Sequence, residues 1–284
     1  GGAVDVVARL IADWLSRRLN GQFVVENRPG AANNIGTEDM IRSPADGYTL
    51  LLTNPTNAIN ATYYAHLNYN FLHDSDPVAG IMRVPNVLVV GAAIPVHSVP
   101  EFIAYAKANA GKLYYASPGN GTSPHMSMEM FELMAHITLN NITYRGMNGG
   151  AYADLLSGRV QAAFDNLPGS IGFIHNGQFR PLGVTTTVRS DALPDVPSIA
   201  EFLPGYEVSA FYGLNAPRGT PPEVTGMLNK AVNGALGDPE MKKKFADLGG
   251  IMLGGSPSEF GKFLVAETDK WAKVIHDADL KLME

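Results

Sequence analysis

The sequence predicts an α/β fold of two lobes, each an open and mostly parallel sheet flanked by helices, with two strands crossing between the lobes as a hinge. Three observations carry this expectation. Apolar periodicities of strand and helix type alternate along most of the chain, as βα units do. Two extended apolar stretches, NVLVV and SAFYGLNAP, bracket a middle block long enough to build a sheet of its own. The composition, 45% hydrophobic and 17% charged over 284 residues, supplies core for two such units and excludes a disordered or fibrous chain. The division that follows is 1–92 with 208–284 as one lobe and 93–207 as the other.

Taken in order, residues 4–19 place Val7, Leu10, Ile11 and Trp14 at helical spacing, and Asn20-Gly21 supplies a stop. Ahead of this helix, Gly1, Gly2 and Ala3 make a loop-like start without a basic or apolar leader. A glycine pair before a helix usually follows a strand, so a signal peptide and a first strand are expected upstream. QFVVEN reads as a strand, RPGAANN as a loop, 36–42 as a short helix, and DGYTLLLTN as a turn and a buried strand. A helix over 57–65 and a strand over 86–90 follow. Ser98 and Glu101 then stand at capping-box spacing before another helix.

KLYYAS is the next strand. It runs through SPGNGTSPH into a helix carrying Met126, Met130, Phe131 and Met134, whose spacing is that of a packed core face. A strand over 141–144, a helix over 152–156 and a strand over 161–165 continue the alternation. GYEVSAFYGLNAP reads as one long strand. Thr220 with Glu223, and Ser256 with Glu259, are the capping pairs expected to open the C-terminal helices.

Several function classes are disfavoured before any site is considered. The net charge is -6 and the 21 Lys and Arg residues are spread thinly, so no basic stripe suits a phosphate backbone. The absence of cysteine removes thiol catalysis, zinc–cysteine clusters and disulfides. No apolar stretch approaches the roughly 18 residues that a spanning helix requires. His66, His73, His97, His136, His175 and His276 are scattered, with no HExxH, and His125 has no GxSxG serine or spaced acidic partner. Neither a metal, a cofactor nor a catalytic group is expected.

The chemistry-bearing pattern is instead a set of strand-to-helix turns. SPGNGTSPH lets backbone amides from Gly119, Asn120, Gly121, Thr122 and Ser123 converge, while Ser117, Thr122 and Ser123 add hydroxyls at a helix N-terminus. That suits a carboxylate or another anion, although a plain strand–helix turn remains the alternative. It has neither the GxxxxGK(S/T) nor the GxGxxG spacing. The GGAV start and TNPTNAIN, with Asn54, Thr56 and Asn57, repeat the same logic. In parallel sheets all three lie at carboxyl edges, where open α/β sheets bind ligands. TYRGMNGG offers Tyr144 and Arg145 at another strand end, with Arg145 equally readable as an exposed ion-pair partner. Asp165, in FDN, ends a further strand.

These residues together resemble a known family. GGAVDVVAR, VENRPGA, DGYTLLL, YYASPGNGT, SGRVQAAFDN and LPDVPSIAE occur in the order found in substrate-binding proteins of tripartite tricarboxylate transporters, the Bug family. The resemblance implies a two-lobed periplasmic binding protein fold of type II, the Venus flytrap. It implies a non-enzymatic, monomeric periplasmic receptor that captures a di- or tricarboxylate, an acidic amino acid or an aromatic acid and delivers it to membrane permease subunits. Gly1, Gly2 and Ala3 with the Asn54–Thr56–Asn57 loop would form one wall of the cleft, and SPGNGT with TYRG the other. This chain departs from the family where PYKGG is replaced by Thr143, Tyr144, Arg145, Gly146 and then Met147 and Asn148, and a GAGGN-like loop by Gly30, Ala31, Ala32 and Asn33. Two other readings stay open on the residues alone, a hydrolase or transferase on a similar scaffold and the effector-binding domain of a transcription regulator. The lack of a nucleophile–base constellation weighs against the first, and the lack of a DNA-binding segment against the second.

Overall fold

In the computed structural model, which describes residues 2–277, 280, 282 and 283, the organising element is a single strand of unusual length. It is β2, Ser75–Gly91, and it runs through both halves of the sheet. From Ser75 to Pro85 it pairs antiparallel with β7, Ser209–Pro217, and it also pairs with β8, Ile251–Gly254. From Asn86 onward its partners are β5, Ala162–Asn166, and β6, Phe179–Val184. The handover falls between Pro85, opposite Ser209, and Asn86, opposite Asn166. The sheet is completed on one side by β1, Leu51–Thr53, against β7, and on the other by β3, Tyr114–Ser117, and β4, Asn140–Thr143.

The α/β architecture with helices on both faces is as the sequence implies, and the pairing is mixed. Parallel ladders join β3 to β4 and β3 to β5, which are the βα units of the middle block. The antiparallel ladders all involve β2 or β7, because a strand that crosses and a strand that returns must run in opposite senses.

Among the described residues eleven α-helices flank the sheet: α1 Ala3–Leu19, α2 Asn34–Ile41, α3 Pro55–Tyr63, α4 Phe71–Asp74, α5 Val99–Ala108, α6 Ser123–Ala135, α7 Tyr152–Ser157, α8 Leu167–His175, α9 Pro222–Gly237, α10 Pro239–Asp247 and α11 Pro257–Asp277. Helix α1 buries Ala3, Val7, Ile11 and Leu15, a strict i, i+4 stripe, in the same core as Val78, Ile81, Tyr212 and Val232. Trp14 donates to the Ala231 carbonyl at 2.8 Å, and Asn20, in the left-handed region at φ 50°, ends the helix. A second core joins Phe102, Phe131, Phe164 and Tyr206 to Ile59 and Tyr63 of α3 and Trp271 of α11. Burial of side chains of this size contributes about 1.5–3 kcal/mol each.

Two expectations about elements are corrected. QFVVEN has no ladder partner among the described residues and leaves Val24 71% exposed. A strand needs a neighbour for its backbone groups, and apolar alternation alone does not provide one. Thr220 does not cap α9. Its hydroxyl donates to the Pro217 carbonyl at 2.8 Å, and the helix opens at Pro222 behind Pro221. The Ser256–Glu259 box forms as expected, with Ser256 N–H donating to Glu259 Oε2 at 2.7 Å and Glu259 N–H to Ser256 Oγ at 3.2 Å. Helix α3 starts earlier than the apolar pattern suggests, because Asn54 caps it and Pro55 occupies its first turn.

Candidate functional site

The loop from β3 to α6 is shaped by its glycines. Gly119 sits at φ 142° and Gly121 at φ 77°, conformations that a side chain disfavours. Thr122 closes this turn: its hydroxyl donates to the Gly119 carbonyl at 2.6 Å and its N–H to the same oxygen at 3.3 Å. Helix α6 then begins at Ser123 with no side-chain cap on its first amides. Ser117, at the end of β3, is fully buried and its hydroxyl has no partner among the described residues. Such a group costs about 1–3 kcal/mol unless a ligand or water completes it. Two of the amides expected to converge are already taken, Thr122 N–H by the Gly119 carbonyl and Gly121 N–H by His125 Nδ1, and Pro124 has none, so the helix-end charge reaches an anion through the remaining amides beside the Ser117 end of β3.

The opposing wall is α3. Asn54 caps it, accepting from Thr56 N–H at 3.0 Å, and Asn57 Oδ1 accepts from Asn54 N–H at 3.1 Å. Asn57 also donates to Thr37 Oγ1 at 2.8 Å, so these buried side chains hold the helix start. One turn on, Asn60 donates to the Ala32 carbonyl at 2.9 Å and to Asn34 Oδ1 at 2.6 Å. A Cβ on Gly121 would stand 2.9 Å from Asn60 Oδ1 and 3.0 Å from Tyr63 Cδ1. The glycine loop and α3 thus meet at Gly121, where there is room for hydrogen alone. Gly2 caps α1 at φ 89° and Ala3 is buried behind it, while Gly1 lies outside the described residues.

The remaining residues singled out in the sequence are dispersed. Asn120 turns its side chain to β4, where its Oδ1 accepts from Asn141 Nδ2 at 3.1 Å and Thr143 Oγ1 at 3.3 Å. Tyr144 donates its hydroxyl to Asp154 at 2.7 Å, and burial, together with that carboxylate, pushes the pKa of the phenol up to about 12. Arg145 is exposed. Asp165 is buried and accepts the Tyr152 hydroxyl at 2.7 Å. Burial drives its carboxyl up to about 7, against the opposing pull of that hydrogen bond. A neutral carboxyl is the species that such an enclosed position favours.

The sequence reading did not find the polar group at the waist. On β5 successive side chains face opposite ways, so Asn166 points away from Asp165. Its amide donates to Asn86 Oδ1 and, at 3.1 Å, to Ser123 Oγ, and its Oδ1 accepts the Tyr212 hydroxyl at 3.3 Å. Asn86 in turn donates to Ser127 Oγ at 2.8 Å. Four elements, β2, β5, α6 and β7, are tied here. The nearest sequence signal was FDN itself, but partners 41 and 80 residues apart leave no mark in local spacing.

Among the described residues no cluster of His, Asp and Glu could hold a metal, and no helix is long and apolar enough to cross a membrane. Comparison with known proteins places this geometry. Residues 7–280 match the model of the tripartite tricarboxylate transporter family receptor, TctC. Protein BugT of Bordetella pertussis is 34% identical, over 99% of this chain and 87% of its own. Among solved structures, R. palustris Rpa4515 with adipate superposes at a TM-score of 0.95, with 38% identity over 98% of this chain and 93% of the other. MatC from Rhodopseudomonas palustris with bound malate superposes at 0.91, with 26% identity over 97% and 95%. The α/β architecture and these likenesses agree: the chain belongs to the TctC family of solute-binding receptors, which are not enzymes.

Proposed function

We propose that this protein is a periplasmic receptor that captures a small organic carboxylate between its two lobes and delivers it to the membrane permease of a tripartite tricarboxylate transporter. The observation that carries this reading is the turn from β3 into α6, where the glycine-shaped loop leads from Ser117, whose buried hydroxyl has no partner among the described residues, to a helix start without a side-chain cap. Adipate and malate in the neighbouring structures are both aliphatic dicarboxylates, which favours that class over an aromatic acid. The family description supports a transporter partner, and the likeness to a solved periplasmic binding protein, BugD, supports the periplasm as the place of action.

The lobes of this reading are 1–92 with 208–284, and 93–207. The change of partners along β2 near Pro85 and Asn86 supports a hinge at the waist. The first wall comprises Gly1, Gly2, Ala3, Asn54, Thr56 and Asn57. The second comprises Ser117, Gly119, Asn120, Gly121, Thr122 and Ser123, flanked by Tyr144, Arg145 and Asp165. Recognition by amides rather than by a buried cation avoids the several kcal/mol that desolvating an ammonium or guanidinium costs.

The test is a thermal-shift screen over adipate, malate and related acids, followed by mass spectrometry of the recovered ligand. A bound acid at 100-fold its Kd stabilises by about 2.7 kcal/mol and is recovered unchanged. Turnover of the acid, or no stabilisation by any carboxylate, overturns the reading.

A further inference from the structure

Behind the glycine loop lies a buried histidine that none of the roles above uses. His125 lies in the first turn of α6, 5% exposed, with its ring 6.1 Å from that of Tyr63 on α3. Its Nδ1 accepts from the Gly121 N–H at 3.4 Å. Its Nε2 lies 3.3 Å from Glu129 Oε1, one turn further along the helix. The Tyr115 hydroxyl donates to that same Glu129 oxygen at 3.1 Å.

These contacts fix the tautomer. An imidazole nitrogen that accepts from an amide carries no proton, so the ring proton is on Nε2 and is donated to Glu129. Burial agrees with a neutral ring, since it lowers the imidazole to about 4. The result is an unbroken chain from β3 through Glu129 and His125 to one amide of the loop.

That amide is at the place where freedom is greatest and tolerance least. Gly121 is at positive φ, between Gly119 and the first turn of α6, and against Asn60 and Tyr63. Without an acceptor for its N–H, the peptide before Gly121 is free to rotate, and the neighbouring amides rotate with it. We propose that His125 is a positioning residue for the ligand loop: by accepting the Gly121 N–H it fixes the peptide orientation that aims the remaining loop and α6 amides at the carboxylate. It touches no ligand atom itself. Glu129 and Tyr115 hold the ring so that Nδ1 faces the loop.

The inference rests on the carboxylate-receptor reading for its ligand but is tested partly without one. Asparagine places an acceptor oxygen near the position of Nδ1, whereas glutamine reaches toward the position of Nε2. His125→Asn therefore keeps the Gly121 bond and binds adipate or malate within about threefold of wild type, while His125→Gln weakens binding by about tenfold or more at a matched melting temperature. In the ligand-free proteins, exchange of the Gly121 amide hydrogen is slow in wild type and His125→Asn, and about tenfold faster in His125→Gln. In wild type, long-range ¹H–¹⁵N correlation shows His125 protonated on Nε2 alone. Equal affinity and equal Gly121 exchange in the two variants, or a proton on Nδ1 of the wild-type ring, overturns the proposal. Wild type that binds no carboxylate, yet shows the expected exchange pattern, removes the ligand reading and leaves the His125–Gly121 bond standing.

Discussion

Asn166 lies directly opposite Asn86 in the antiparallel β2–β5 ladder, and the two side chains are hydrogen-bonded across it. This pair is the first one after β2 exchanges β7 for β5, so the polar contact sits where the sheet changes partners. Removing the Asn166 amide leaves the fully buried Asn86 carbonyl oxygen without that donor and Ser123 Oγ without its bond. Asn166→Ala is expected to lose about 1–3 kcal/mol in urea denaturation. A loss within a few tenths would mean that the network contributes packing rather than hydrogen bonding.

The glycine loop is expected to be sensitive to backbone freedom and insensitive to nearby charge. Gly121→Val places methyl groups against Asn60 and Tyr63 at a positive φ that valine disfavours, and Gly119→Val meets the same φ restriction. Each should weaken carboxylate binding by about tenfold or more, equivalent to 1.4 kcal/mol. Arg145→Ala, at an exposed position, should leave affinity near wild type. Calorimetry that finds the opposite order would make recognition a salt bridge.

Asp165 predicts a pH dependence with a definite sign. Its carboxyl is raised from 3.8 to about 7 by burial, so the folded protein binds a proton that the unfolded chain has released. Stability contributed by this group is full below about pH 4 and declines as pH rises toward 7. Asp165→Asn keeps an acceptor for Tyr152 and removes the titration. The variant should therefore gain on wild type progressively from pH 5 to pH 8 in denaturation midpoints. Parallel curves would show that Asp165 is ionised in the fold.

Closure of two lobes around a ligand must change the overall dimensions. Small-angle scattering should give a smaller radius of gyration at saturating adipate or malate than in the free protein. Identical profiles, with binding shown independently, would argue for a rigid cleft.

Most of the order of elements was legible in the sequence, because the apolar period and the caps are local signals. Ser98 and Ser256 act within three residues of themselves, and α1 declares its buried face in a single stripe. QFVVEN failed because pairing depends on a neighbour that local pattern does not contain. Within the candidate site, the SPGNGT turn was legible through its glycines, whose need for positive φ is intrinsic to the residue type. Asn86, Asn166 and Tyr212 were not, since an asparagine on a strand looks the same whether it faces water or three partners from distant elements. Tyr144 and Asp165 were visible as strand-end polar residues, but their bonds to Asp154 and Tyr152 arise only when α7 folds back beside them.

The length of β2 has a consequence for how the protein is inherited and assembled. One strand belongs to both ladders, so the middle block is not a module that can be excised or fused elsewhere. A polypeptide of residues 93–207 would keep β3, β4, β5 and β6 but lose the strand on which β5 and β6 both pair, and would present two open, apolar edges. Such a fragment should aggregate rather than fold, and supplying a peptide of residues 75–91 should rescue it. The two halves therefore cannot be exchanged between relatives as beads on a string. Recombination within this fold has to leave this strand whole.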